Sequence, residues 1–300
     1  MFRISPILLG MSLAVAGGSI AVAQDAAPTP PKVIQITREW LKMGKSPMAH
    51  DKSEAGFVAA SARAKLQGHY VALNSMTGKP RALYLFRYPS FEALEKDNQT
   101  VDKNAALAAE FDRLVTTDGD LLEALDTAVL TYNEEWSFRP RPDLSHARYY
   151  EVSAFHIRPG HRKEFNECVK MVKEANEKGG TAAHWGAYEL AYGGEGGTVI
   201  ALTHRESLSE IDKDFAESKK FAEGAGGEEG MQKLDEVCGA GSDSSHTELF
   251  SINPKQSYAE EAWIKADPDF WKPKAKAAEA ATTKPAAAKP APAASKPGGR

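Results

Sequence analysis

Apolar and polar positions along the chain fall into short alternating or β-branched runs separated by stretches of helical spacing. Val33 to Glu39 and Tyr149 to His156 read as strands. After the break at Arg158-Pro159-Gly160-His161, the residues Phe165, Val169, Val172 and Ala175 recur at the spacing of an amphipathic helix. Two predicted hairpins follow the same logic. Tyr70 to Ser75 and Ala82 to Phe86 flank Thr77-Gly78-Lys79-Pro80, and His184 to Tyr192 and Val199 to Thr203 flank Gly193-Gly194-Glu195-Gly196-Gly197. A helical stretch and a last strand come after each hairpin, the strands at Ala128 to Tyr132 and Thr247 to Ile252.

The order of elements is therefore written twice, and the residues themselves repeat. Ser90-Phe91-Glu92-Ala93-Leu94-Glu95-Lys96-Asp97 aligns with Ser207-Leu208-Ser209-Glu210-Ile211-Asp212-Lys213-Asp214, and the strand Leu83 to Phe86 aligns at the same offset with Ile200 to Thr203. His69-Tyr70 meets His184-Trp185, and Trp136-Ser137-Phe138 meets Phe250-Ser251-Ile252, with small drifts placed in turns. The period is that of a domain, not of a solenoid. Strand, helix, hairpin, helix, strand is the ferredoxin-like α+β plan, which leaves one sheet face to be covered. Two copies in one chain cover each other, and the expected fold class is α+β, two fused ferredoxin-like units forming an internal barrel. The predicted units are residues 33–140 and 141–258.

The Arg158-Pro159-Gly160 turn with Glu164-Phe165, the helix openings at Ser90-Phe91 and Ser207-Leu208, and the duplicated plan resemble the dimeric α+β barrel superfamily. Within it the chain looks most like the NIPSNAP-like and antibiotic-biosynthesis-monooxygenase-like branches. The resemblance spans roughly Val33 to Tyr258 and implies a cavity. It selects no chemistry, because such a fold hosts cofactor-free monooxygenases, isomerases and haem-dependent enzymes alike.

The two ends differ from this body. Residues 1–23 carry Arg3, an apolar run from Ile7 to Ala16 and Ala21-Val22-Ala23, which predicts a signal peptide and a periplasmic or secreted protein without a membrane span. Residues 24–32 read as a linker. Residues 259–271 hold Trp263, Phe270 and Trp271 and read as an aromatic strap, with a partner-binding patch as the alternative. Residues 272–300 are rich in Ala, Lys and Pro and read as a disordered tail of net charge +6, a solvated spacer or a contact to anionic cell envelope. The whole chain has 300 residues and a formal charge of −4, which speaks against nucleic-acid binding.

Candidate chemistry follows from strand parity. Polar and aromatic residues alternate on one face, Gln35, Thr37, Glu39, Tyr70 and Asn74 in the first unit and Glu151, Ser153, Phe155, Trp185 and Glu189 in the second. That parity is expected to line a ligand-filled barrel interior, with Glu189 and Glu151 as acid and base and Tyr70, Trp185 and Asn74 as ligand contacts. The competing reading is a polar sheet face making ordinary hydrogen bonds. On the other parity, His204 is expected opposite Gly186 and diagonal to His184, a pair able to move a proton or approach a metal or haem, or else two half-exposed strand-end residues. No P-loop, dinucleotide fingerprint, nucleophile elbow or zinc-ligand spacing is present, and no metal site or cofactor is expected. Cys168 and Cys238 lie on helices that should share a sheet face, so a disulfide is expected, with free buried thiols as the alternative. The functional expectation is a small aromatic or polyketide-like molecule in a barrel cavity, handled by a cofactor-free oxygenase or isomerase. The alternative is a non-catalytic envelope scaffold acting through its tail or strap. The chain is expected to be a monomer, paired only with itself.

Overall fold

The computed structural model describes residues 29–272. The signal-peptide reading and nearly all of the basic tail lie outside the described residues. The first unit runs β1 (Val33–Leu41), α1 (Pro47–Ala64), β2 (His69–Ser75), β3 (Arg81–Tyr88), α2 (Phe91–Asp102), α3 (Ala105–Gly119) and β4 (Leu122–Phe138). The second runs β5 (Tyr149–Ile157), α4 (Arg162–Gly179), β6 (Trp185–Tyr192), β7 (Thr198–Arg205), α5 (Ser209–Ala216), α6 (Ser218–Ala225), α7 (Gly227–Gly241) and β8 (Ser242–Ile252). Two short helices, α8 (Glu261–Ala266) and α9 (Pro268–Trp271), follow. None of the described helices is long and apolar enough to cross a membrane.

The strands close into one antiparallel barrel in the order β1-β3-β2-β8-β5-β7-β6-β4, so each unit contributes the ferredoxin-like order and the two units join at two seams. This is the dimeric α+β barrel architecture within a single chain. The seams are unequal. β4 pairs with β6 from Val129↔Tyr192 to Phe138↔Trp185, whereas β2 and β8 share only Leu73↔Ile252, Asn74↔Ser251 and Ser75↔Phe250. The register shift in β4 is stabilised locally: Asn133 Oδ1 accepts from the Trp136 amide at 3.0 Å, and Ser137 Oγ accepts from the Ala187 amide at 2.9 Å. The shorter seam is extended by a single bridge between Tyr70 and Tyr258.

Which face turns inward reverses the expectation from parity. Ile34, Ile36, Val71, Leu73, Leu83, Leu85, Leu130, Val152, Leu202 and Phe250 point into the barrel and fill it. An eight-stranded barrel is just wide enough to be filled by its own side chains, so the more continuously apolar parity goes inside. Gln35, Thr37, Glu39, Tyr70, Ser153, Phe155 and Trp185 instead face the helices. Trp263 and Trp271 join the barrel core; both are buried, and Trp271 Nε1 donates to the Ser145 carbonyl at 2.8 Å. The tryptophans of the strap are thus committed to packing.

Helix packing in the second unit is unusually close. A Cβ on Gly224 would lie 2.1 Å from the Ala175 carbonyl oxygen and one on Gly179 2.3 Å from that of Lys220, so α4 and α6 touch backbone to backbone. Cys168 of α4 and Cys238 of α7 form a disulfide with Cα atoms 4.8 Å apart, which ties the helical layer across 70 residues of sequence. Closing a loop of that length in the unfolded chain is worth about 4 kcal/mol in the chain-entropy model. The Cys168→Ser/Cys238→Ser variant should therefore lose up to about 4 kcal/mol of unfolding free energy in a denaturant titration, and reducing agent should shift the wild type by a similar amount.

Candidate functional site

Two cavities lie between sheet and helices, one in each unit. The second-unit cavity, about 660 Å³, sits under α4 and α7 and is walled by residues such as Trp136, Phe155, Phe165 and Trp185. Its lining holds Cys168 and Cys238, which are tied up with each other, and contains no histidine, methionine or tyrosine. The first-unit cavity, about 620 Å³, lies between β1, β3 and the helices α1 to α3, with Phe57, Tyr70, Tyr84, Phe86, Tyr88 and Phe111 among its walls. It ends on Glu39, Glu54 and Asp118, all buried.

That floor is assembled from distant parts of the chain. Helix α1 starts with Pro47 at its first turn and carries His50 and Glu54 one turn apart, so both point at the sheet. Glu39 comes from the helix-facing parity of β1, and Asp118 from the last turn of α3. His50 Nε2 lies 3.0 Å from Glu39 Oε2 and 3.8 Å from Asp118 Oδ1. Behind His50, Gln256 Nε2 approaches Nδ1 at 3.2 Å and donates to Asp51 Oδ1 at 3.0 Å. Since an amide NH₂ only donates, His50 accepts at Nδ1 and donates from Nε2 to Glu39. Gln256 follows β8, so the end of the second unit positions a side chain of the first unit's site.

Charge is the unusual feature. The floor brings three carboxyl groups together, and no lysine or arginine among the described residues pairs with any of them. Glu54 Oε1 and Asp118 Oδ1 have no hydrogen-bond partner, nor do the hydroxyls of Ser53 and Tyr84 beside them. Burial, then the charges of Glu39 and Asp118, push the Glu54 carboxyl up to about 9. Burial and Glu39 also raise Asp118, against the lowering effect of His50. The Tyr70 and Tyr84 phenols are held well above their usual range, first by burial and then by Glu54 and Glu39.

The residues singled out by sequence fall elsewhere. Glu189 is ion-paired with Arg162, and Glu151 accepts from Arg205 at 2.6 Å, with Asp214 on the same guanidinium at 2.5 Å. Both carboxylates are thus occupied by permanent cations, and the expected acid-and-base pair in a barrel cavity is replaced by two structural ion pairs on the helix side. Tyr70 and Trp185 line different cavities, while the backbone of Asn74 joins the β2–β8 seam. Trp185 Nε1 donates to the Trp136 carbonyl at 2.7 Å. His184 and His204 are neighbours, their ring centroids 5.7 Å apart. The hairpin register pairs Gly186 with Leu202, which sets His204 opposite His184 instead of opposite Gly186. They face a void of only about 50 Å³ at the barrel end, with Arg87, Tyr150 and Tyr188. Burial lowers both, His204 to about 3, so they are neutral imidazoles in a space fit for water.

Sequence reading placed Glu39 on a site-lining parity but missed His50, Glu54 and Asp118. The available signal was His50 and Glu54 four residues apart on a predicted helix, a spacing that has meaning only once Glu39 and Asp118 are known to face it.

No protein-family model matches the chain, and no curated protein matches it in sequence. Among solved structures it is similar to an anthrone oxidase-like protein at 13% identity and TM-score 0.48, covering 77% of this chain and 95% of that one. It is also similar to a chlorite dismutase from Candidatus Nitrospira defluvii at 9% identity and TM-score 0.47, with coverage of 79% and 96%. A haem-binding protein from Thermus thermophilus gives 11% identity and TM-score 0.43, covering 80% and 98%. At these identities the likeness is one of architecture. The second-unit cavity offers no histidine, and His50 stands behind the first-unit carboxylates with both ring nitrogens engaged.

The Glu54 shift has a sign that can be measured. A carboxyl raised from 4.5 to about 9 keeps a proton in the folded state that the unfolded chain releases. Its contribution to stability is complete below pH 4.5 and is lost as pH rises towards about 9. The groups facing it are Glu39 on β1, Asp118 on α3, His50 on its own helix, and Tyr70 and Tyr84 on β2 and β3. In chelator-treated protein, Glu54→Gln should flatten the fall in unfolding free energy across that range, read as the difference from wild type in denaturant titrations at stepped pH.

Proposed function

We propose that the protein is exported and binds a small, flat, aromatic or polyketide-like molecule in the first-unit cavity, where Glu39 and Glu54 carry out proton transfer. The observation that carries this reading is the cavity itself: about 620 Å³ with Phe57, Tyr70, Tyr84, Phe86, Tyr88 and Phe111 in its wall, ending on buried carboxyls. Glu54 is a carboxylic acid near neutral pH, held so by burial. Glu39 is held by a hydrogen bond from His50 and is aimed at the same floor. A proton-holding carboxyl beside a second carboxyl that accepts from an imidazole offers a donor and an acceptor to one ligand.

Isomerisation of an enolisable ligand uses both. The Glu39 carboxylate takes a proton from a ligand C–H, the electron pair moves into the ligand's conjugated system, and Glu54 gives its proton to the carbon where that pair ends. No oxidant or reductant is consumed. Export is supported by Arg3, the apolar run from Ile7 to Ala16 and Ala21-Val22-Ala23, and it agrees with the chemistry of the Cys168–Cys238 disulfide.

The test uses 1-naphthol, a neutral planar phenol followed by its own fluorescence. Saturable binding should be lost on filling the first cavity with Thr37→Trp and kept on filling the second with Ala201→Trp. Retention in the first variant and loss in the second would move the site to the other unit.

A further inference from the structure

We propose that Glu39, His50, Glu54 and Asp118 form a binding site for one divalent first-row transition cation, of the Mn²⁺ or Zn²⁺ class, at the floor of the first-unit cavity. Four ligand atoms, one from each residue, lie within 4.8 Å of one another. Two ligands on opposite sides of an ion at about 2.1 to 2.4 Å are separated by just such a span, so the four residues need only small rotamer adjustments to converge. All four are at least nine-tenths buried, and two of the carboxyl oxygens, Glu54 Oε1 and Asp118 Oδ1, accept no hydrogen bond. Buried unpaired carboxyl oxygens aimed at one another are costly, and a shared cation offsets that cost.

The donor set indicates the class of ion. Three carboxyl groups suit a hard cation, while one imidazole favours a transition metal over Mg²⁺ or Ca²⁺. The surroundings can orient the imidazole. Gln256 is fully buried and its Oε1 is unpartnered. Rotating its amide would place Oε1 against Nδ1–H of His50, freeing Nε2 to bind the ion and supplying the outer hydrogen bond that ligating histidines usually have, while giving up the hydrogen bond from Gln256 to Asp51. Three carboxylates around a dication leave one net negative charge, and the open side of the floor faces the cavity, where a ligand oxygen or water completes the coordination shell. The site shares the cavity of the proposed ligand, and a bound cation displaces the Glu54 proton, so proton transfer by Glu39 and Glu54 belongs to the metal-free form; the metal is measured without any organic ligand, so either reading can fail alone.

The full chain is treated with chelator and titrated with MnCl₂, free Mn²⁺ being followed by electron paramagnetic resonance, and with CoCl₂, followed by visible absorption. The expected result is one saturable Mn²⁺ site per chain, a Co²⁺ spectrum unlike that of the aqueous ion, and a rise in Tm with metal. Glu54→Gln and Asp118→Asn should each weaken Mn²⁺ binding by about tenfold or more, while Glu228→Gln on the exposed face of α7 should leave it unchanged. Glu54→Gln replaces a carboxyl that is already neutral near pH 7 in the metal-free protein by a neutral group of the same shape, so the metal-free variant should fold as well as wild type by circular dichroism. Absence of saturable Mn²⁺ binding by wild type together with an aqueous-like Co²⁺ spectrum overturns the site. So does binding unaltered by Glu54→Gln and Asp118→Asn. Loss of 1-naphthol binding with metal binding intact would instead sink only the ligand reading.

Discussion

Everything in this molecule depends on pairing across the two seams where one ferredoxin-like unit meets the other. A single unit would expose the apolar face of a four-stranded sheet, and the pairing of β4 with β6 and of β2 with β8 hides that face from both units at once. Closure also removes every free sheet edge. The cost is rigidity of register: a slip by one residue would exchange the faces of a whole strand, bringing Glu39 or Tyr70 into the barrel and Ile36 or Val71 out of it. The asymmetric seam lengths show where the fold has slack, since β2 and β8 share three pairs and depend on the Tyr70–Tyr258 bridge to continue.

A filled barrel pushes binding space outward. Once Leu73, Leu83, Leu85, Leu130 and Phe250 occupy the interior, the remaining free volume lies where helices rest on the outer sheet face. The two units then diverge. In the second, close backbone contact between α4 and α6 and the Cys168–Cys238 bond brace a layer over a cavity whose nearby carboxylates are satisfied by arginines. In the first, no such cations are present, and three buried carboxyl groups share one imidazole. A duplicated fold has thus kept structural electrostatics in one copy and an unresolved concentration of negative charge in the other. Buried charge of that kind is maintained where a proton, a cation or a ligand is to be held.

The C-terminal segment links these two levels. After β8 the chain crosses to the first unit, where Ser257 Oγ accepts from the Ala72 amide at 2.9 Å and Gln256 reaches His50. It then lays Trp263 and Trp271 over the barrel core. Folding of the second unit is consequently coupled to the geometry of the first unit's site, and the strap contributes its tryptophans to packing.

From sequence alone, local periodicity located every one of the eight strands, because alternation and turn chemistry are properties of a few neighbouring residues. Periodicity marks β4 only over Ala128 to Tyr132, since Leu122 to Thr127 mixes apolar and polar residues without strict alternation and the strand is bulged near its end. The 117-residue offset revealed duplication, hence a closed pairing of two sheets. Parity separated the two faces correctly, but the expectation that the polar and aromatic face lines the interior is reversed; volume decided that, as the barrel admits only the tighter apolar set. The two cysteines could be judged compatible, yet their 4.8 Å approach belongs to helix packing. Least legible was the carboxylate floor. Glu39, His50, Glu54 and Asp118 span about eighty residues and three separate elements, and each is unremarkable until β1, α1 and α3 converge, because burial and mutual repulsion are properties of the assembled space and of no single residue in the chain.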